Sequence, residues 1–305
     1  MKYLIIGAGS IGSLLGVKLA LAGNKVEFVV KKRNSKRQIE NNGIILFEGD
    51  KKFLLKTKTY LWDNLRHLEA DYVIVAVKSH HATTILPKLK EIIYTTSKIV
   101  TIQNGITPHI IASDLFEDRH IIISLKEAAY KFDVNKVRHA GSGVNTLTSF
   151  NAPRNVMEEF AEQLAPAGIR TQIKNDAMEV LYRKLAINCI INPLTALFSI
   201  KNGKLVKFLN SYLVNSMISE ILEVFEEEGV SISKDEIMDN LINIIKDTRE
   251  NKSSMLQDIE WKRKTEIEFL TGYILERAAE YGVNTPSNRI IYELIKQLEV
   301  VRGTH

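Results

Sequence analysis

Three polar residues interrupt an otherwise apolar stretch at residues 181–193. Lys184, Asn188 and Asn192 follow one another at intervals of four residues, so on a helix they form a single stripe. Because helices rarely bury lysine or asparagine without a partner, we expect this stripe to bind a polar ligand. The alternative is the exposed face of a surface helix, but such a face usually carries charges of both signs, and this stripe does not.

A second group of polar residues follows in the same half of the chain. Asn202 lies at a break in the helical pattern, Ser254 lies near the start of a later helical segment, and Glu266 comes twelve residues after it. We expect residues 255–281 to form one helix, which would place Ser254 and Glu266 near one face, three turns apart. Alternatively, the serine belongs to a helix N-cap and the glutamate is a surface carboxylate.

The first residues of the chain carry a nucleotide-binding pattern. A short apolar strand is followed by Gly7-Ala8-Gly9-Ser10-Ile11-Gly12 and then by a helical segment. The first glycine permits a tight turn, the second lets a pyrophosphate approach the backbone, and the third lets helix and strand pack closely. Together with the N–H groups of the helix N-terminus, these six residues predict a dinucleotide site.

The end of the second predicted strand indicates which dinucleotide is bound. An NAD site carries an acidic residue about twenty residues after the glycines, where it holds the ribose 2′-hydroxyl. Here residues 31–37 read Lys-Lys-Arg-Asn-Ser-Lys-Arg, and Glu40 is the first acidic residue after them. The sequence therefore predicts a basic loop in which Lys31 and Lys32 bind the 2′-phosphate of NADPH. The alternative is a solvated run of charge.

Two more polar residues follow predicted strands of a parallel sheet. Lys78 comes after the apolar stretch at residues 71–77, and Asn104 follows the stretch at 98–103 and precedes Gly105. Ligands of open parallel sheets bind beyond the carboxyl ends of the strands. We therefore expect Lys78 and Asn104 to contact the cofactor, although each alone could be a surface lysine or an ordinary turn residue.

The whole chain has the pattern of an α/β protein with two domains. Strand and helix signals alternate up to residue 175, with a hairpin near residues 43–58, which predicts a Rossmann-type dinucleotide-binding domain at 1–175. From there only helical periodicity remains, in stretches at about 176–200, 205–228, 234–249, 255–281 and 287–301. Residues 176–305 are therefore predicted to form an all-helical substrate and dimerisation domain.

Composition excludes several classes of protein. The 305 residues carry a net charge of +5, without the basic stripe and interleaved aromatics of a nucleic-acid-binding surface. No apolar run suits a membrane span, and the glycines with Lys18 argue against a secretory signal. Cys189 is the only cysteine, which indicates a reducing compartment such as the cytoplasm, and the scattered histidines predict no metal site. The apolar helices could support a homodimer, although a core face would have the same pattern.

These segments together resemble the ketopantoate reductases (2-dehydropantoate 2-reductases) over essentially the whole chain. Beyond the glycine turn, the matching segments are Val75-Ala76-Val77-Lys78, Gln103-Asn104-Gly105, Lys184-Leu185-Ala186-Ile187-Asn188, Asn192-Pro193-Leu194-Thr195-Ala196, Asn202-Gly203, Ser253-Ser254-Met255-Leu256-Gln257-Asp258 and Thr265-Glu266-Ile267-Glu268. Glu268 stands where the family usually has aspartate.

The resemblance implies NADPH-dependent reduction of ketopantoate to pantoate, on the route to pantothenate and coenzyme A. Matched residue by residue, Lys184 would be the general acid and Glu266 would bind the substrate hydroxyl. The substrate pocket would be lined by Asn104, Asn188, Asn192, Asn202 and Ser254, with Lys78 and Asn104 on the cofactor. A lysine ammonium suits this chemistry because negative charge develops on the carbonyl oxygen as hydride reaches C2.

Other functions fit parts of the same pattern. Relatives of the family reduce other 2-oxo acids, and 3-hydroxy acid or glycerol-phosphate dehydrogenases share the general plan. Those dehydrogenases would need their own lysine motif, and a phosphate substrate would need further cations in the helical half. An NADP-binding sensor would need no turnover, but the joint presence of Lys184, Asn188, Ser254 and Glu266 argues against one.

Overall fold

The computed structural model describes residues 1–304, and contacts within the chain divide it into two compact units. The first unit contains Met1–Gln103 and Pro108–Val180, and the second contains Asn104–Thr107 and the residues from Leu181 onward. The four residues that follow Gln103 therefore belong, by their contacts, to a unit that is mostly much later in the sequence.

Strands and helices alternate through the first unit. Its strands are β1 (Lys2–Ile6), β2 (Lys25–Val30), β3 (Ile44–Glu48), β4 (Lys51–Leu55), β5 (Thr59–Leu61), β6 (Tyr72–Val75), β7 (Lys98–Thr101), β8 (His120–Ser124), β9 (Ala128–Asp133), β10 (Lys136–Gly141), β11 (Asn145–Thr148) and β12 (Thr171–Ile173). Its helices are α1 (Ser10–Leu21), α2 (Arg33–Asn42), α3 (Ser79–Ile92), α4 (Thr107–Phe116, which begins at the last residue of Asn104–Thr107) and α5 (Arg154–Leu164).

The main sheet of this unit has eight strands in the order β12-β11-β8-β7-β6-β1-β2-β5. The six strands from β8 to β5 are parallel and have the order of a dinucleotide-binding sheet. The point at which the strand order reverses lies between β1 and β6, which run parallel to each other. The predicted Rossmann-type α/β class is confirmed. Parallel pairing also places the carboxyl ends of β6, β1 and β2 along one edge of the sheet.

The central strands are apolar because helices cover both of their faces. Along β1, Tyr3 and Ile5 pack in one core together with Leu14 of α1, while Leu4 and Ile6 pack in a second core on the opposite face. Alternate residues of a strand point to opposite faces, so a continuous apolar run supplies both cores.

A second sheet of four strands, in the order β4-β3-β10-β9, packs against α1. The predicted hairpin at residues 43–58 is confirmed as β3 and β4, whereas the hairpin of β9 and β10 was not predicted. A charged cluster ties this sheet to α1. Lys18 pairs with Glu48 at 3.0 Å, and the two ring nitrogens of His139 lie 2.6 Å from Glu48 and 2.7 Å from Glu127. Since carboxylates only accept, both nitrogens donate; the Glu127 bond is the main cause that raises the pKa of His139.

The basic segment at residues 31–37 differs from the sequence prediction. It was expected to be a loop, but α2 begins at Arg33, so only Lys31 and Lys32 precede the helix. The helical periodicity was hidden because only Ile39 of α2 is fully buried. Helix α4 was also not predicted, and α3 continues through Pro87 to Ile92.

The second unit is helical from Leu181 to the end of the described residues. Its helices are α6 (Ala177–Phe198, which begins in the first unit), α7 (Tyr212–Glu227), α8 (Lys234–Asp247), α9 (Ser254–Glu260), α10 (Thr271–Tyr281) and α11 (Pro286–Arg302), with short 3-10 turns at Asn202–Lys207 and Ile267–Phe269. Among residues 1–304, no helix is both long and apolar enough to cross a membrane.

One detail of the helical prediction is wrong. Residues 255–281 form two helices, because the backbone leaves the helical conformation at Lys262, where φ is +53°. Ser254 and Glu266 therefore do not share a helix. The predicted helical stretch at 176–200 corresponds to α6, which continues through Pro193 to Phe198 and stops at Ser199, where φ is +51°.

Candidate functional site

The glycine turn at the end of β1 has the geometry of a dinucleotide-binding turn. Gly7 has φ +105°, and a Cβ on Gly12 would lie 2.1 Å from the Gly7 carbonyl oxygen, so a side chain there would prevent the helix from packing against the strand. At Gly9 the nearest atom to such a Cβ would be 3.8 Å away, which leaves open space above the turn. The structure thus places Gly7, Ala8, Gly9, Ser10, Ile11 and Gly12 at the start of α1, as expected for phosphate binding.

Three helices begin along this edge of the sheet without the usual caps. Their N-cap residues are Gly9 for α1, Lys32 for α2 and Lys78 for α3, and none of them caps its helix with a side chain. None of the three helices has an acidic residue in its first turn. By contrast, the N-caps of α7, α8 and α9 are serines whose hydroxyls accept a backbone N–H. The electropositive ends of α1, α2 and α3 therefore lack a carboxylate of their own in the first turn.

Lys31 and Lys32 are both exposed at the start of α2, and neither forms an ion pair with any of residues 1–304. Lys36, one turn into the helix, pairs with Glu40. Arg33 and Arg37 are exposed as well, so what distinguishes Lys31 and Lys32 from the rest of the cluster is their position at the end of β2, before α2 begins.

Gln103 is a buried residue that the sequence prediction missed. Its side-chain amide donates to the carbonyl oxygens of Val75 at 2.7 Å and Val77 at 2.9 Å, and it joins the end of β7 to the segment between β6 and Lys78. A buried amide immediately after a parallel strand is a signal that could have found it, because such a group needs backbone partners.

Asn104 and Glu266, which are 162 positions apart, are hydrogen-bonded in the second unit. The Asn104 Nδ2 donates to the Glu266 carboxylate at 3.0 Å, and the Glu266 side chain is buried. Gly105 permits this approach: its φ is +82°, and a Cβ on it would lie 2.3 Å from the Phe269 carbonyl oxygen. The close backbone contact therefore depends on a glycine at this position.

The segment that carries Glu266 is anchored at both sides of that residue. The Thr265 amide donates to Glu299 at 2.8 Å, and Glu268 accepts from the Tyr292 hydroxyl and the Lys296 ammonium, each at 2.6 Å. Glu268 is thus a structural anchor to α11. The sequence did not reveal this role, because a glutamate exposed to solvent and a glutamate bonded to a distant helix can have the same sequence surroundings.

Lys184 is a half-buried residue in the middle of α6. Its ammonium forms no hydrogen bond and no ion pair with the described part of the chain. Burial lowers the pKa of Lys184 to about 8, and the negative charge of Glu266 opposes that decrease. The structure therefore links Lys184 electrostatically to the Asn104–Glu266 pair.

Asn188 and Asn192, the other two residues of the predicted stripe, also have unused hydrogen-bonding groups. Ser254 donates to the side-chain oxygen of Asn192 at 3.4 Å. The Asn192 Nδ2 and the amide of Asn188 have no hydrogen-bond partner among residues 1–304. Ser253 is the N-cap of α9, with its hydroxyl accepting from the Leu256 amide, which leaves the Ser254 hydroxyl to face Asn192.

Asn202 lies apart from these contacts. Its Nδ2 donates to Thr248 at 3.0 Å and its backbone amide to Asn251, and its Oδ1 is buried without a partner among the described residues. The structure thus connects Asn202 to the segment that leads into Ser254, and among residues 1–304 no hydrogen bond joins its side chain to the other predicted site residues.

The arrangement suits a small substrate with an acidic and a hydroxylic end. Lys184 and Asn192 are two turns apart on α6, about 12 Å along the axis. The Lys184 end of this stripe offers an ammonium and, from Glu266, a carboxylate. The Asn192 end offers neutral amide groups and the hydroxyl of Ser254. Such a set can donate to a developing oxyanion and orient an anion without further charge. Within residues 1–304, no cluster of potential ligands suits a metal ion.

Comparison with known proteins identifies the family. The family model described as ketopantoate reductase PanE/ApbA matches residues 3–152, and its C-terminal counterpart matches residues 176–299. The chain belongs to the ketopantoate reductase PanE/ApbA family. The resemblance seen in the sequence is confirmed, and the protein is an oxidoreductase.

Individual relatives agree with this assignment. The 2-dehydropantoate 2-reductase of Aquifex aeolicus is 32% identical over 311 residues, covering 98% of this chain and 97% of its own. That of Vibrio cholerae is 29% identical, covering 98% of each chain. Among solved structures, a PanE/ApbA family ketopantoate reductase from Ralstonia eutropha has 25% identity and a TM-score of 0.88 over 99% of each chain. A D-mandelate dehydrogenase with NADH and anilino(oxo)acetate has a TM-score of 0.94 at 22% identity over 100% of each chain, which shows a shared fold.

The Gly105 contact gives a prediction about stability. Gly105→Ala should lower the free energy of unfolding by about 2 kcal/mol more than Gly282→Ala, as measured by urea denaturation. Both glycines have a positive φ, and both substitutions therefore strain the backbone, but a Cβ on Gly282 would meet nothing within 4 Å. Equal losses for the two variants would show that the approach of Phe269 does not require glycine.

Proposed function

We propose that this protein reduces 2-dehydropantoate (ketopantoate) to pantoate with NADPH, in cytoplasmic pantothenate and coenzyme A biosynthesis. The observation that carries the proposal is the Lys184 ammonium, which is desolvated, has no ion-pair partner in residues 1–304 and lies on one stripe with Asn188 and Asn192. In a chain of the ketopantoate reductase family, that stripe is the part of the molecule equipped to bind and protonate a small oxo acid. We assign cofactor binding to residues 1–175 and substrate binding to residues 176–305 and Asn104.

Lys184 would act as the general acid. With hydride supplied by bound NADPH, negative charge develops on the C2 oxygen of the substrate, and the ammonium stabilises that charge and transfers a proton to it. A pKa of about 8 keeps the group mostly protonated at neutral pH while making it a better acid than an ordinary lysine.

The other residues would bind and orient the substrate. Glu266 is held by Asn104 and is suited to accept a hydrogen bond from the substrate hydroxyl, which positions the reacting carbonyl from several atoms away. Asn188, Asn192 and Ser254 offer neutral donors that can hold a carboxylate, and Asn202 would complete the pocket through its buried amide oxygen.

NADPH is favoured over NADH by the residues at the carboxyl end of β2. No carboxylate is present to hold a ribose 2′-hydroxyl, and Lys31 and Lys32 precede the uncapped end of α2. An anion there would meet two cations and a helix N-terminus at once. Lys78, at the N-cap of α3, would also contact the cofactor.

The alternative is reduction of another 2-oxo acid by the same residues. The structural similarity to D-mandelate dehydrogenase shows that this fold accommodates other substrates in other proteins, although at 22% identity it says nothing of the substrate here. Ketopantoate is favoured because its hydroxyl is a donor from which the buried Glu266 carboxylate is suited to accept a hydrogen bond.

A substrate panel tests the reaction. NADPH absorbance would be followed with ketopantoate, with 2-oxo-3-methylbutanoate, which lacks its hydroxymethyl group, and with phenylglyoxylate. We expect kcat/KM for ketopantoate to exceed the others by about 100-fold or more, because a site built to hydrogen-bond a hydroxyl rejects analogues that lack it. Glu266→Gln should reduce the preference in kcat/KM for ketopantoate over its analogues. The matched control is Glu268→Gln, which alters a carboxylate that binds Tyr292 and Lys296 and should leave that preference unchanged. A preference for phenylglyoxylate would favour the alternative.

The role of Lys184 is tested by substitution and by pH. Lys184→Met should reduce kcat by about 100-fold or more, while Lys207→Met, at an exposed lysine of the same unit, should leave it unchanged. Because the acid must be protonated, kcat/KM of the unaltered enzyme should fall as pH rises above about 8. A near-normal kcat for Lys184→Met, or a rate constant that is flat up to pH 10, would remove this residue from the proton transfer.

Cofactor choice is tested at the start of α2. The double variant Lys31→Ser, Lys32→Ser should raise KM for NADPH by about 10- to 100-fold through loss of charge-assisted hydrogen bonds, with little effect on NADH. The matched control is Lys36→Ser, which removes a cation that is already paired with Glu40. Equal use of NADPH and NADH by the unaltered enzyme would contradict the assignment of NADPH.

A further inference from the structure

Lys131 extends from the second sheet of the first unit to the glycine turn. It lies on β9, and its Nζ donates to the carbonyl oxygen of Ala8 at 2.6 Å. The same carbonyl accepts from the Ser13 hydroxyl in the first turns of α1, at 3.3 Å. The ammonium therefore lies beside the turn that opens α1.

The electrostatic surroundings of this ammonium are unfavourable. A helix N-terminus is electropositive, so a cation beside it is repelled unless an anion is present. Helix α1 has no acidic residue in its first turn, and Lys131 forms no ion pair with any described residue. The acidic residue that acts on it, Asp133, pairs with Lys136 at 2.9 Å.

Lys131 also has hydrogen-bonding capacity that the protein does not use. An ammonium has three N–H donors, and one of them is taken by Ala8. The side chain is half-buried, and burial lowers the pKa of Lys131 to about 8. A desolvated cation with spare donors beside a helix N-terminus is a group arranged for an anion.

We propose that Lys131 is a cofactor-binding residue whose ammonium contacts the pyrophosphate of the dinucleotide. The inference rests on the proposed function in that it takes the dinucleotide as the ligand of the glycine turn. The pyrophosphate is the anion expected there because Ala8 lies inside the turn, whereas the 2′-phosphate is expected at the end of β2.

The second sheet holds Lys131 in place before any ligand arrives. β9 pairs with β10, where Ala129 is opposite His139, and His139 is bonded to Glu48 and Glu127 in the cluster that reaches Lys18 of α1. The strand that carries Lys131 and the helix that begins at the turn are therefore joined by a network of charged residues, so little ordering is needed on binding.

The test is direct binding of NADPH and NADH, followed by fluorescence titration, to the full chain and to three variants. Lys131→Met should weaken both cofactors by the same factor, on the order of 10- to 100-fold, because both carry the pyrophosphate. Lys131→Arg should restore most of the affinity. Lys136→Met, on the neighbouring strand β10, removes an equal charge that is already paired with Asp133 and should change neither affinity.

Three results would overturn the inference. Unchanged binding by Lys131→Met would mean that the lysine only fastens the turn, and failure of Lys131→Arg to restore binding would exclude a role through charge. A loss confined to NADPH would assign the contact to the 2′-phosphate instead. Absence of binding of either cofactor by the unaltered protein would contradict the proposed function itself, and thermal unfolding of each variant shows whether it is folded.

Discussion

The helical unit contains a partly buried lysine ammonium, that of Lys184, which forms no ion pair with residues 1–304. Removing a charge from water is unfavourable unless a partner replaces the water, and Lys184 has no such partner within residues 1–304. Its helix is otherwise embedded in apolar side chains, including Leu185, Ile190 and Leu194. That burial stabilises α6 and offsets the unfavourable desolvation of the Lys184 ammonium, which lowers the pKa of Lys184.

The surroundings of Lys184 show where the protein uses rigidity. Glu266 is the charged group that opposes the fall in the lysine pKa, and it is held by Asn104 and flanked by two anchored neighbours. Because an electrostatic interaction depends on distance, holding the Glu266 carboxylate in place keeps its effect on the Lys184 ammonium constant. The side-chain amides of Asn188 and Asn192 on α6, in contrast, keep N–H groups without a hydrogen-bond partner among residues 1–304.

The sequence predicted the elements whose signal is local and missed those whose signal depends on distant partners. The glycine turn, β1, β2 and the apolar part of α6 were predicted, because turn chemistry and periodicity determine them within a few residues. Helix α2 was missed because it buries a single isoleucine, and β10 because its partner β3 lies about ninety positions away in the sequence. The Asn104–Glu266 bond had no sequence signal beyond the family resemblance, and the supposed helix joining Ser254 to Glu266 failed where one lysine adopts a positive φ.

In the first unit, a lysine at the start of a helix says more about ligand binding than a lysine elsewhere on the surface does. A lysine on a surface is uninformative, since water and salt screen it. A lysine at the start of a helix is different, because the peptide dipoles already make that end positive, and evolution usually places serine, threonine or a carboxylate there. α2 and α3 have lysine at the N-cap, and α1 has Lys131 beside its first turn. Strands β1 and β2 thus lead into two helix ends that have no acidic residue in their first turn, which is the electrostatic arrangement that suits the anionic groups of a dinucleotide.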